Sequence, residues 1–159
     1  MSVTATRIRH ARTADIASVL DLRDRIAVDL LQRGQLHWDP SRITTADLVD
    51  LIDRDALFVA GAVLGTISVR FDTDSLWGAG RAGYVRMLMV EPSLQATGLG
   101  RHLVSWAGRY IFTTGRSLVR LDCPEQDDGL RRFYEGLGFR FLEARNGAAL
   151  FERSRDGRI

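Results

Sequence analysis

The chain contains no lysine; every one of its 22 Lys-or-Arg positions is arginine. That absence excludes a Walker phosphate loop, which requires Gly-x4-Gly-Lys-Ser/Thr. Cysteine occurs once, at Cys123. No intramolecular disulfide can form, and a lone thiol suits a reducing compartment, so a cytoplasmic protein is expected. Three histidines, one cysteine and scattered acids show no metal-ligand spacing, and no metal is expected. No apolar run approaches the roughly 20 residues of a membrane span. The N-terminal stretch "MSVTATRIRHARTAD" lacks the apolar core of a signal peptide. Neither a membrane nor a nucleic-acid partner is expected, because the formal net charge is only +2 and projects no strong field.

What is present is an ordinary globular composition over 159 residues, enough for one domain spanning 1–159 with its own core. A short strand is expected at 6–11. A helix follows over 13–34, with Thr13 as N-cap and Gly34 just past its end. A second helix covers 44–53 behind a Thr44 cap. Residues 56–71 read as a hairpin turning near Gly61 to Gly65, and 84–90 ("YVRMLMV") as a strand. Leu99, Leu103, Trp106, Ala107, Tyr110 and Ile111 recur at helical spacing. A strand at 117–122, a short helix at 128–139 capped by Asp128, and strands at 139–144 and 148–153 joined at Asn146-Gly147 complete the chain. The order β-α-α-β-β-β-α-β-α-β-β implies a mixed α/β (α+β) sheet.

The chemistry centres on "SLQATGLGRHL", residues 93–103. Gly98 and Gly100 stand where a strand turns into a helix, a place where unpaired amides and the helix dipole favour an anion. A dinucleotide fingerprint fits poorly, because its third glycine position is Leu103 and the motif lies past mid-chain. A tight turn that merely needs glycine is the plain alternative.

Gln95, Gly98 and Gly100, followed by a helix, a strand and then "FYEGLGF", resemble the GNAT superfamily of acetyl-CoA-dependent N-acetyltransferases. The loop matches that family's Gln/Arg-x-x-Gly-x-Gly/Ala signature. Tyr134, Glu135, Gly138 and Phe139 match its Tyr-Glu-x-x-Gly-Phe signature. The resemblance is close over about 84–141 and extends to element order before that.

It implies a central twisted mixed β-sheet flanked by helices, with acetyl-CoA as co-substrate. It also implies acetyl transfer to a primary amine, small-molecule or peptide, by direct attack on the thioester. The implied cofactor contacts are the main chain of Leu88, Met89 and Val90, and the loop residues Gln95, Ala96, Thr97, Gly98, Leu99, Gly100 and Arg101. Tyr134 matches the tyrosine whose hydroxyl protonates the leaving thiolate. A phenol of pKa about 10 can donate to a thiolate whose conjugate acid has a pKa of about 8.5.

Two departures stand out. Asp127-Asp128 occupies the register where many relatives carry asparagine. Arg86 lies on the strand where some relatives keep a carboxylate. The general base is open among His37, Asp39, Asp72 and Asp74. The acceptor site is expected around His37, Trp38, Asp39 and Trp77. A homodimer is left open, and the alternative function is a CoA-binding regulatory module without turnover.

Overall fold

The computed structural model describes residues 6–71 and 81–156. Its strands are β1 (Ile8–His10), β2 (Leu57–Ala60), β3 (Gly65–Arg70), β4 (Ala82–Val90), β5 (Leu118–Pro124), β6 (Arg140–Arg145) and β7 (Ala148–Ser154). Its helices are α1 (Ile16–Gln32), α2 (Thr45–Asp53), α3 (Leu99–Thr113) and α4 (Asp128–Gly136). The observed order of strands and helices is the expected one. The strands form one mixed sheet in the order β1-β2-β3-β4-β5-β7-β6. β4 pairs parallel to β5, with Ala82, Gly83 and Tyr84 opposite Leu118, Val119 and Arg120. The pairs β1–β2, β2–β3, β5–β7 and β6–β7 are antiparallel. No helix among the described residues is long and apolar enough to cross a membrane.

The chain divides into two compact units, Met1–Ser68 with Met87–Val104, and Val69–Arg86 with Ser105–Ile159. β3, β4 and α3 each contribute residues to both.

The first unit packs α1 and α2 through Val19, Leu22, Ile26, Leu48 and Leu51 onto Leu57, Val59 and Met89. Local signals set the ends of its helices. Thr44 accepts from the Asp47 amide at 3.2 Å while Asp47 accepts from the Thr44 amide at 3.0 Å, a reciprocal capping box. Past α1, the Gly34 and Gln35 amides donate to Leu31 and Leu30, closing a Schellman turn with Gly34 left-handed at φ +66°.

The start of α1 departs from expectation. Thr13 opens a 3-10 turn rather than capping the helix. Asp15 instead accepts the Arg12 amide at 2.8 Å and a two-pronged guanidinium contact from Arg9 at 2.8 and 3.0 Å. The guanidinium bonds hold the Asp15 carboxyl below its ordinary range.

The second unit packs Val119, Leu121 and Cys123 of β5 with Tyr134, Phe139, Leu150 and Phe151, all under 9% exposed. α4 is capped by Asp127, whose Oδ1 accepts the Leu130 amide at 3.0 Å. This corrects the expected Asp128 cap. Asp127 has the non-helical backbone a cap needs, at φ −89° and ψ 83°, and Asp128 is already the first helical residue. Gly138, at φ +89°, ends α4 by another Schellman turn, its amide donating to Glu135 and that of Phe139 to Tyr134. The β6–β7 hairpin turns at Asn146 and Gly147, both left-handed at φ +53° and +80°, as the Asn-Gly pair requires.

Candidate active site

The glycine loop lies wholly in the first unit. After β4, Pro92–Leu94 makes a 3-10 turn. The amides of Leu94, Gln95 and Thr97 are spent inside the loop, on the carbonyls of Glu91, Pro92 and Leu94. The Thr97 hydroxyl donates to Leu94 as well. Ala96 is left-handed at φ +63° and Gly98 at φ +96°. The Gly98 carbonyl accepts the His102 amide at 2.9 Å, the first bond of α3. The amides of Leu99, Gly100 and Arg101 therefore have no carbonyl one turn back to receive them. Arg101 is exposed beside them. This set of donors at the positive end of a 15-residue helix suits a pyrophosphate.

Leu88, Met89 and Val90 lie on β4 just ahead of the loop. Met89 is buried at 5% exposure, while Leu88 and Val90 are half-buried. One feature of β4 had no sequence signal. Met87 is left-handed at φ +56°, a conformation rare for a non-glycine residue inside a strand. The buried Thr66 hydroxyl pins it by donating to the Met87 carbonyl at 2.7 Å.

Gly65, read as part of a turn, opens β3 as a packing residue. A methyl there would sit 2.8 Å from the Met89 carbonyl oxygen and 2.9 Å from Leu103 Cδ1. Gln95 accepts from Arg33 at 3.2 Å, and the same guanidinium reaches Asp29 at 2.7 Å. The groove between α1 and the 91–93 turn is lined by Asp24, Asp29 and Glu91 as well as Arg25, so its carboxylates oppose an anion there.

Tyr134 lies in the second unit. Its ring meets Phe133, Phe139 and Phe151 with centroids 5.2, 6.0 and 6.1 Å away. Burial drives its hydroxyl well above the ordinary phenol range, and Cys123, Asp122 and Asp127 push the same way. The hydroxyl stays protonated at neutral pH, so it can donate a proton and cannot serve as a base. Cys123 is 4% exposed, and burial pushes its thiol up to about 12, with Asp127 and Asp122 adding to the effect. It behaves as a small core residue rather than a nucleophile.

Of the bases left open, Asp39 accepts from the Ser41 hydroxyl at 2.6 Å and the Ser41 amide at 3.0 Å. Those bonds hold its carboxyl below the ordinary range, which weakens it as a base. His37 is half-buried and Trp38 packs against the first unit's core. Asp72, Asp74 and Trp77 lie outside the described residues. Arg86 does not stand alone on β4. Its Nε lies 3.4 Å from Asp122 Oδ1 on β5.

The Acetyltransferase (GNAT) family model matches residues 23–139. The chain is 29% identical over 153 residues to the uncharacterized N-acetyltransferase YesJ of Bacillus subtilis (strain 168), covering 87% of this chain and 84% of that one. It is also 29% identical over 121 residues to the mycothiol acetyltransferase of Nocardiopsis dassonvillei, spanning 72% of this chain but only 36% of that longer protein. Among solved structures, a GNAT-family acetyltransferase from Listeria monocytogenes 4b F2365 superposes with a TM-score of 0.80 at 20% identity, with 94% of each chain covered. The PaiA N-acetyltransferase of Thermoplasma acidophilum, solved in complex with coenzyme A, superposes at 0.77 and 15% identity over 94% of this chain and 99% of its own. At those identities the superpositions speak for the fold. With the family model covering most of the chain and the glycine loop formed as described, the protein belongs to the GNAT family of acetyltransferases, enzymes whose acetyl donor is acetyl-CoA.

Proposed function

We propose that this enzyme moves the acetyl group of acetyl-CoA directly to a primary amine, and that residues 1–159 act as one catalytic domain. The start of α3 carries this reading: left-handed Gly98 turns β4 into a helix whose first amides lack internal partners. In this reading the amides of Leu99, Gly100 and Arg101 hold the pyrophosphate, with the Arg101 side chain at its rim. The left-handed Met87 re-aims the main chain ahead of Leu88, Met89 and Val90, which take the pantetheine arm as an added strand would be taken. One of these amides faces the thioester oxygen, where negative charge grows during attack.

The transfer balances as follows. An amine of pKa about 10.4 must first lose a proton to water or a base, at a cost of about 4.6 kcal/mol at pH 7. Its nitrogen then bonds the acetyl carbon. The C–S bond breaks with its electron pair on sulfur, and the nitrogen loses a second proton to water. Tyr134 gives its hydroxyl proton to the thiolate and regains one from water. The net products are the N-acetyl amine, free CoA and one proton. The buried hydroxyl is protonated at neutral pH, the state a donor needs, and its raised pKa makes the transfer to sulfur more uphill than from an ordinary phenol. The single buried thiol supports a reducing, cytoplasmic site of action.

The test uses acetyl-CoA labelled with carbon-13 in its acetyl group, an amine panel and mass spectrometry of the products. Labelled N-acetyl amine formed one-to-one with CoA supports the proposal. Cofactor binding without transfer to any amine would instead identify a silent CoA-binding module.

A further inference from the structure

We propose that Thr66 is a positioning residue for the transfer: its hydroxyl fixes the peptide between Met87 and Leu88 and so aims the Leu88 amide at the thioester oxygen. This rests on the acetyl-transfer reading above, and Thr66, Met87 and Leu88 all belong to the first unit. Among the described residues, the polar side chains buried in the core are those of Thr66 and Ser68, at 0% and 1% exposure. A hydroxyl taken out of water needs a partner. For Thr66 that partner is the Met87 carbonyl, 2.7 Å away.

The carbonyl belongs to a residue in an unfavourable backbone state. Met87 is left-handed at φ +56°, a state that a residue with a side chain keeps only where its surroundings hold it. Thr66 supplies that hold from β3. The consequence passes along the peptide. The carbonyl of Met87 and the amide of Leu88 lie in one plane and, in a trans peptide, point in opposite directions. With the carbonyl fixed on Thr66, the Leu88 N–H points away from Thr66. Losing the hydroxyl frees this one peptide to rotate, and the donor turns with it.

Leu88 also stands at the right place along β4. The glycine loop follows the strand, so an arm running from that loop passes Val90 and Met89 before it reaches Leu88. Of the three amides, that of Leu88 therefore meets the acyl end of the arm. Leu88 is half-buried. Among the described residues the ladder from β4 to β5 pairs Ala82, Gly83 and Tyr84 and ends short of Leu88. A donor already aimed where negative charge will grow needs no rearrangement during the reaction, which is where such a donor is worth most.

The test follows the thioester carbonyl itself. Acetyl-CoA carrying carbon-13 at that carbonyl is bound to the full chain without amine and read by difference infrared spectroscopy. A hydrogen bond to the oxygen weakens the C=O bond, so the wild-type band should lie at lower frequency than that of free acetyl-CoA. Thr66→Ser keeps the hydroxyl and should keep the shift. Thr66→Val should lose most of it. Thr66→Ala carries the same reading without pressing a methyl against the Met87 carbonyl, should the valine variant not fold. With an amine from the panel above, single-turnover transfer in the hydroxyl-free variants should slow by roughly 10- to 100-fold, less than the loss from deleting a donor outright. Calorimetry should show acetyl-CoA affinity little changed, whereas a merely structural role would lower stability and affinity and leave the bound band where it was. An unshifted band in the wild type, or a shift or single-turnover rate untouched without the hydroxyl, overturns this inference and leaves acetyl transfer standing. Failure to bind acetyl-CoA, or transfer to no amine, overturns both.

Discussion

Replacing Gly65 with alanine tests whether the glycine loop is supported from beneath by close packing. The methyl group would lie 2.8 Å from the Met89 carbonyl oxygen, 2.9 Å from Leu103 Cδ1 and 3.6 Å from Leu99 Cδ2. The first of these is backbone and can yield only if β4 moves. Leu99 and Leu103 are both fully buried, so their side chains have little room to rotate away. Overpacking of this kind costs roughly 1–3 kcal/mol. For a chain of this size that lowers Tm by roughly 2–12 °C, at about 2–4 °C per kcal/mol. Gly108→Ala is the matched contrast. It lies inside α3, and among the described residues its methyl would meet only Val119 Cγ2 at 3.9 Å. Alanine there should stabilise by roughly 0.5–1 kcal/mol. Thermal and urea unfolding without ligand read both changes. Met89 and Leu99 bracket the loop, so Gly65→Ala should also weaken acetyl-CoA binding. A Gly65→Ala protein as stable as the wild type would refute the close packing of β3 on Met89 and Leu103.

Other expectations follow from single residues. Valine at Gly98 would combine lost phosphate space with the strain of a β-branched residue at φ +96°, so Gly100→Ala is the cleaner probe. Gly100 is already helical, and the apo melting temperature should hold while acetyl-CoA affinity, read by calorimetry, falls roughly 10-fold or more through a lost charged hydrogen bond. Asp15 contributes stability that is fully present above the ordinary carboxylate pKa of about 3.9. Its folded value is lower, so the contribution is lost as pH falls through that range toward the lowered value. Urea midpoints between pH 6 and 3 should fall less steeply in Asp15→Asn, and parallel curves would remove Asp15 from acid sensitivity. With a thiol pKa of about 12, Cys123 holds only about one part in ten thousand as thiolate at pH 8. A chromogenic disulfide should therefore titrate no thiol in the native protein, and rapid reaction would contradict the buried placement.

Most of the fold was legible because its signals are local. The Asn146-Gly147 turn, the Thr44 cap and the helical stripe of α3 each depend on a few adjacent residues. What was not legible depends on backbone angles and side-chain partners that residue spacing does not reveal. At the start of α1, Asp15 rather than Thr13 organises the turn, held by the Arg12 amide and by Arg9 six residues upstream. Two adjacent aspartates gave no means of telling which caps α4, since the choice rests on backbone angles at Asp127. Gly65 looked like a turn glycine until Met89 and Leu103 were seen against it. Met87 opens the apolar run 87–90 directly after Arg86, and nothing in that sequence signals a left-handed residue. In the candidate site, Gln95, Gly98, Gly100 and Tyr134 stood out in the sequence through their resemblance to two GNAT signatures. The Arg86–Asp122 pair did not, because it depends on the register between β4 and β5.

The reaction itself is tested most directly by rapid-quench single-turnover transfer from acetyl-CoA to an amine, in the wild type and in Tyr134→Phe. The substitution keeps the ring among Phe133, Phe139 and Phe151 and removes only the hydroxyl. If that hydroxyl protonates the leaving thiolate, the chemical step should slow by roughly 100- to 10,000-fold, with acetyl-CoA affinity little changed. A single-turnover rate equal to that of the wild type would take Tyr134 out of the mechanism.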